Sequence, residues 1–154
     1  MRHYYFRKIT NGDLSCIPDM IEYFEKELSD ALDEVRISGN IEANNKQMPG
    51  LMSQRFSQLQ EIDAIIVHME TVLRKLKTEK FRTYLENYNR SLTSRDADRY
   101  ADGDAEVIDM MLLINQIALM RNQFLGVTKA LEQKSYALSN ITKLRAAGLD
   151  TTDL

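Results

Sequence analysis

The chain has 154 residues, of which 44% are hydrophobic and 28% charged, and its formal net charge is −3. This is ordinary globular usage, which excludes disorder throughout and suffices for one domain or one long helical protomer. Six glycines and two prolines leave few turns to build with, and the single cysteine, Cys16, excludes an internal disulfide framework and fits a reducing compartment.

Residues 1–17 form an N-terminal segment. Arg2, His3, Tyr4, Tyr5, Phe6, Arg7 and Lys8 make its start basic and aromatic, without the apolar core of a signal peptide. The first helix is expected over about residues 18–38. Pro18 suits the first helical turn, where its missing N–H costs nothing, and Asp19, Glu22 and Glu25 favour the positive end of the helix. Met20, Phe24, Ala31, Leu32 and Val35 make one apolar face, and Gly39 stands where a left-handed cap is expected. Residues 40–50, with Pro49 and Gly50, read as a linker.

The second helix is expected over about residues 51–92, since no glycine or proline falls between Gly50 and Gly103. Leu59, Ile62, Ile66, Met69, Leu73 and Leu76 are spaced three and four apart in alternation, a heptad seam that packs two helices side by side. The seam breaks at Lys80, and a rotated row resumes at Phe81, Leu85, Tyr88 and Leu92. In the connector that follows, Ser94 is a candidate cap for a short helical turn and Asp102-Gly103 is a turn signal. Asp104 then caps a third helix over about residues 105–147, about 60 Å long at 1.5 Å per residue. Met110, Ile117, Phe124, Leu131 and Leu138 recur along it every seven residues, and Gly148 ends it. Residues 149–154 are a short acidic tail.

Two long helices joined by a short connector fold back as an antiparallel pair. The expected architecture is therefore all-α: a single helical domain over residues 18–148, built as a long antiparallel hairpin with a shorter N-terminal helix. Such a hairpin has more apolar rows than it can cover. Met110, Leu113, Ile117, Met120 and Phe124 are accordingly expected to form the interface of a homo-oligomer. The most apolar run, residues 110–120, is interrupted by Asn115 and Gln116 and is too short to cross a bilayer.

Charge is segregated along the chain. Residues 13–34 hold eight acids against Lys26 alone, residues 74–95 are basic, residues 96–109 are acidic, and residues 121–145 are basic again. Segregation of this kind governs partner choice more than the total does. The chemistry of catalysis has no such signal. His3 and His68 are the only histidines, no metal-ligand spacing joins them to Cys16, and there is no glycine-rich phosphate loop. The acids Asp96, Asp98, Asp102, Asp104 and Glu106 miss the calcium-loop pattern, which would require a glycine at Ala101 and a glutamate at Val107. No enzyme activity, metal or cofactor is expected. The segment Arg74-Lys75-Leu76-Lys77-Thr78-Glu79-Lys80-Phe81-Arg82-Thr83-Tyr84 does carry a signal. Its cations can neutralise phosphates and its aromatic rings can stack on unpaired bases, unless those rings belong to the core.

These residues also carry a resemblance. Met48-Pro49-Gly50-Leu51 leads into a helix that ends basic and aromatic through Tyr84. An acidic connector follows, and the last helix closes with Gln133-Lys134-Ser135-Tyr136-Ala137-Leu138-Ser139-Asn140-Ile141. Over roughly residues 48–148 this is similar to the UvsY-type recombination mediators of T-even-like tailed bacteriophages. It departs from them in having Thr83-Tyr84-Leu85 where they carry adjacent tyrosines, and in its acidic first helix. The resemblance implies a ring-forming protein of the host cytoplasm that binds single-stranded DNA. Such a protein helps load a RecA-like recombinase onto strands covered by single-strand-binding protein. It places phosphate contact on Lys80, with Lys77 and Arg82 beside it. Together with Arg74, Lys75 and Tyr84 these are the candidate nucleic-acid-binding residues. The alternative is a helical, oligomeric structural or adaptor protein of a phage that binds only protein.

Overall fold

The computed structural model describes residues 3–87 and 92–148, and every regular element among them is helical. Helix α1 spans Tyr4–Thr10, α2 Ile17–Glu34, α3 Ile41–Asn87, α4 Ser94–Asp102 and α5 Ala105–Ala146, with a single 3-10 turn at Leu14–Cys16. The all-α hairpin expected from the heptads is present, with α3 and α5 as its arms. Near one end of the arms Asn45 of α3 meets Thr142 of α5; near the other, Tyr84 meets Asp104 and Lys80 meets Glu106, so that α3 and α5 run in opposite senses there. The expected tail, residues 149–154, and residues 88–91 of the expected second helix fall outside the described residues, while Leu92, its expected end, is not helical. Where the sequence suggests one helical domain, contacts divide the chain into two compact units. One is Met1–Glu61 with Met120–Leu154, and the other is Ile62–Leu119.

In the first unit the N-terminal segment contains a helix, α1, which its composition did not suggest. Ile9 of α1 is fully buried, and the Tyr5 ring lies 5.5 Å from Tyr23 and 6.3 Å from Phe24. Helix α2 begins at Ile17 with Pro18 in its first turn, and it buries Met20, Phe24 and Ala31 completely. Phe24 meets Phe124 of α5 edge to face at 5.8 Å. The helix stops at Glu34, short of the expected Ser38. Lys134 of α5 explains the early stop, because its Nζ donates to the carbonyls of Glu34 at 2.7 Å and Arg36 at 2.8 Å. A cation on carbonyls just past a helix end satisfies groups that the helix itself leaves open. Gly39 has the left-handed backbone expected of it, φ 70°, but it turns the connection between α2 and α3 and does not cap α2.

The linker expected over residues 40–50 is a correction. Helix α3 begins at Ile41, and Asn40 caps it by accepting from the N–H groups of Glu42 at 2.8 Å and Ala43 at 3.3 Å. Pro49 lies inside the helix. Proline and glycine in a helix cost about 3 and about 1 kcal/mol. Against this, Ile41 and Met48 are buried in one cluster with Ala31, Val127, Leu131 and Leu138. Each such side chain stabilises by about 1.5–3 kcal/mol when removed from water. Burial is thus of the size needed to offset the breakers over this stretch.

The polar interior of the same unit centres on Arg55, which is 2% exposed. Its Nε and Nη2 donate to Glu34 at 2.8 and 2.6 Å, and its Nη1 donates to Glu27 at 2.6 Å and to Gln58 at 2.9 Å. Gln58 closes the network by donating to Glu27 at 2.7 Å. A buried guanidinium is tolerable only when its donors are paired in this way. Part of the acidic excess of residues 13–34 is thus spent inside the unit.

In the second unit α3 buries Ile62, Ile65 and Met69, α5 buries Val107, Ile114 and Ile117, and α4 adds Ala97 and Ala101. Ile65 lies off the expected seam yet is fully buried, whereas Ile66, on the seam, is half-buried. The cap of α4 is Thr93, one residue before the expected Ser94, and its Oγ1 accepts from the N–H of Asp96 at 3.2 Å. Asp104 caps α5 as expected, accepting from the N–H of Glu106 at 3.0 Å.

Candidate nucleic-acid interface

Residues 74–84 are continuous helix within α3, so a rotation of about 100° per residue divides the candidates between two faces. Arg74, Thr78 and Arg82 fall on one face with Lys75 beside them, and Arg74, Lys75 and Arg82 are all exposed. Lys77, Lys80 and Tyr84 fall on another, and that face meets the acidic connector. Lys77 Nζ lies 2.8 Å from Asp102, and Lys80 Nζ lies 3.2 Å from Asp104 and 2.7 Å from Glu106. The Tyr84 hydroxyl donates to Asp104 Oδ2 at 3.0 Å, and its ring lies 5.7 Å from that of Tyr100. Phe81, a further candidate for stacking, is half-buried.

The electrostatics follow from these contacts. The hydrogen bond to Glu106, helped by Asp104, holds the Lys80 ammonium above its ordinary range. Burial on its own would push the Asp104 carboxyl up. The Tyr84 hydroxyl and the Lys80 ammonium outweigh it, and the carboxyl sits below its ordinary range. Both groups are therefore charged at neutral pH. The basic segment thus contains two kinds of cation. Arg74, Lys75 and Arg82 face solvent with their charge available for phosphates, while Lys77 and Lys80 already touch carboxylates. Tyr84 is engaged by Asp104 and Tyr100, which favours the packing role over base stacking. The sequence shows both the basic and the acidic runs, but it does not show that one lies on the other.

The expected interface residues differ in burial. Ile117 and Phe124 are fully buried and Met120 is 5% exposed, so within the single chain their own neighbours cover them. Met110 and Leu113 are half-buried. Large apolar residues open on the part of α5 that belongs to the second unit are Ile108, Met111, Leu112 and Leu119, the last two 60% and 63% exposed, and Tyr136 and Leu144 are open further along the helix. Heptad spacing identifies a face of a helix, and here the chain's own core takes the face with the best spacing. Among the described residues, no helix is long and apolar enough to cross a membrane. No protein-family model matches the chain, and neither a curated protein nor a solved structure matches it.

Proposed function

We propose that the chain is a non-enzymatic mediator of phage recombination. In this reading it acts in the host cytoplasm as a homo-oligomer, in a ring, and binds single-stranded DNA. It helps load a RecA-like recombinase onto strands covered by single-strand-binding protein. The observation that carries the reading is the run of exposed cations Arg74, Lys75 and Arg82 on α3, with Lys77 and Lys80 on the adjoining face. A modest cationic patch suffices when it is repeated around a ring, because linked sites raise avidity without any one strong contact. The test is fluorescence anisotropy of a labelled single-stranded oligonucleotide at low and moderate salt. Binding that weakens steeply with salt supports the proposal, since each neutralised phosphate releases counterions. A folded protein that does not bind at low salt contradicts it.

A second reading is a helical adaptor that binds only protein. The open apolar residues Ile108, Met111, Leu112 and Leu119 favour it, because clustered exposed apolar side chains mark protein contacts. It requires no phosphate contact at all, and the same titration therefore separates the two.

A further inference from the structure

The carboxylates of Asp102, Asp104 and Glu106 alternate along the sequence where α4 gives way to α5, and they stand on Lys77 and Lys80 as the phosphates of a strand would. We infer that this acidic run is an internal competitor for nucleic acid, covering Lys77 and Lys80 until a single strand displaces it. The inference rests on the DNA-binding reading above and gives that site its regulation.

Three observations carry it. The contacts are direct ion pairs of 2.7–3.2 Å on both lysines, so a phosphate approaching either ammonium competes with a carboxylate for its charge and its N–H donors. The outer members of the run are open to water, with Asp102 57% and Glu106 68% exposed. Ion pairs with such exposure are weak and screened by salt, and a polyanion can replace them. Asp104, by contrast, is 13% exposed and is held by its capping bond and by Tyr84. The run is therefore anchored at its centre and loose at its ends. Arg74, Lys75 and Arg82 stay open throughout and provide a first contact that does not depend on displacement.

Displacement has a signature in salt. In the native chain the carboxylates that leave the lysines take up cations as the strand releases its own, which flattens the salt dependence. Once the acids are neutralised, each freed lysine contributes its full release, a slope of about 0.7 per phosphate on single strands. The substitution pair Asp102→Asn/Glu106→Gln removes the partner of Lys77 and the shorter contact of Lys80 while leaving the Asp104 cap. Its log–log salt slope should be steeper than that of the native chain by about 0.7–1.4. Between about 50 and about 200 mM salt this is a loss of affinity roughly three- to sevenfold larger, starting from tighter binding at low salt. Adding Asp104→Asn keeps a capping side chain and should carry the slope to the upper figure.

The charge-matched control is Asp98→Asn/Asp109→Asn, which neutralises two other exposed acids of the same unit. Each protein is titrated with a labelled single-stranded oligonucleotide by anisotropy, with folding checked by circular dichroism. A steeper slope in the first pair and a native slope in the control supports the inference. Equal slopes in the native chain, the pair and the control overturn it while leaving DNA binding intact. Failure of every folded protein to bind at low salt overturns both the inference and the reading it rests on.

Discussion

Arg55 holds Glu34 through two hydrogen bonds, 2.8 Å from Nε and 2.6 Å from Nη2, from a position only 2% exposed. The same guanidinium holds Glu27 at 2.6 Å, so one α3 side chain ties down two acids of α2. Removing one partner of a buried ion pair leaves the others uncompensated. Arg55→Ala should therefore destabilise by about 3 kcal/mol, read as a lower urea midpoint. Arg55→Met combined with Glu27→Gln and Glu34→Gln should recover most of that loss, because no unpaired charge remains. Equal losses in the two proteins would mean that packing, and not charge pairing, is what Arg55 supplies.

The network also sets an acid limit. Burial alone would raise the Glu27 carboxyl, but the hydrogen bonds from Gln58 and Arg55 outweigh it and hold the group below its ordinary 4.5. A folded-state value below the unfolded one gives stability that is present above about pH 4.5 and lost as pH falls through the folded value. Melting followed by circular dichroism should show the melting temperature falling as pH drops below about 4.5. The fall should be shallower in Glu27→Gln, which lacks the titrating group. Parallel pH profiles for the two proteins would remove Glu27 from the account.

Pro49 tests the helical start of α3. It lies in the helix interior, where the proline ring crowds the preceding turn and one backbone hydrogen bond is missing. Pro49→Ala should stabilise by about 1–3 kcal/mol, visible as a higher melting temperature. Were residues 40–50 an irregular connection, the same change would loosen the unfolded chain and lower stability.

The fate of this stretch shows what the sequence could and could not reveal. The hairpin, the cap at Asp104 and the end at Gly148 were legible because each rests on local spacing or on one residue's conformational preference. Residues 40–50 were not, because the burial of Ile41 and Met48 against Val127, Leu131 and Leu138 is a tertiary gain that offsets a local breaker. The signal that could have revealed it is Asn40 followed by Ile41 and Glu42, a helix start that the nearby proline obscured. Arg55 was equally invisible, since a single arginine in a polar stretch shows nothing of two glutamates a helix away. At the candidate interface the basic residues were legible as a group. Their division into open and covered cations was not, because it depends on how α4 and the start of α5 lie on α3.

The open apolar residues of α5 separate assembly from folding. Leu112→Glu with Leu119→Glu alters side chains 60% and 63% exposed, and such surface changes shift stability by about 0.5 kcal/mol or less. Under the oligomer proposal, the substituted protein should keep its melting temperature and shift to smaller species in analytical ultracentrifugation. Ile117→Glu, at a fully buried position, should instead unfold the chain by burying a charge. An unchanged mass distribution for the Leu112 and Leu119 variant would exclude this face from assembly.

The most direct test of nucleic-acid binding uses the cations that solvent already reaches. A labelled single-stranded oligonucleotide is titrated by anisotropy with the native chain and with Arg74→Glu/Lys75→Glu/Arg82→Glu, each shown to be folded. The expected result is salt-sensitive binding by the native chain and its loss in the triple variant. Binding by the triple variant with native affinity and salt slope would contradict the α3 site, and a native chain that does not bind at low salt would contradict the mediator function itself.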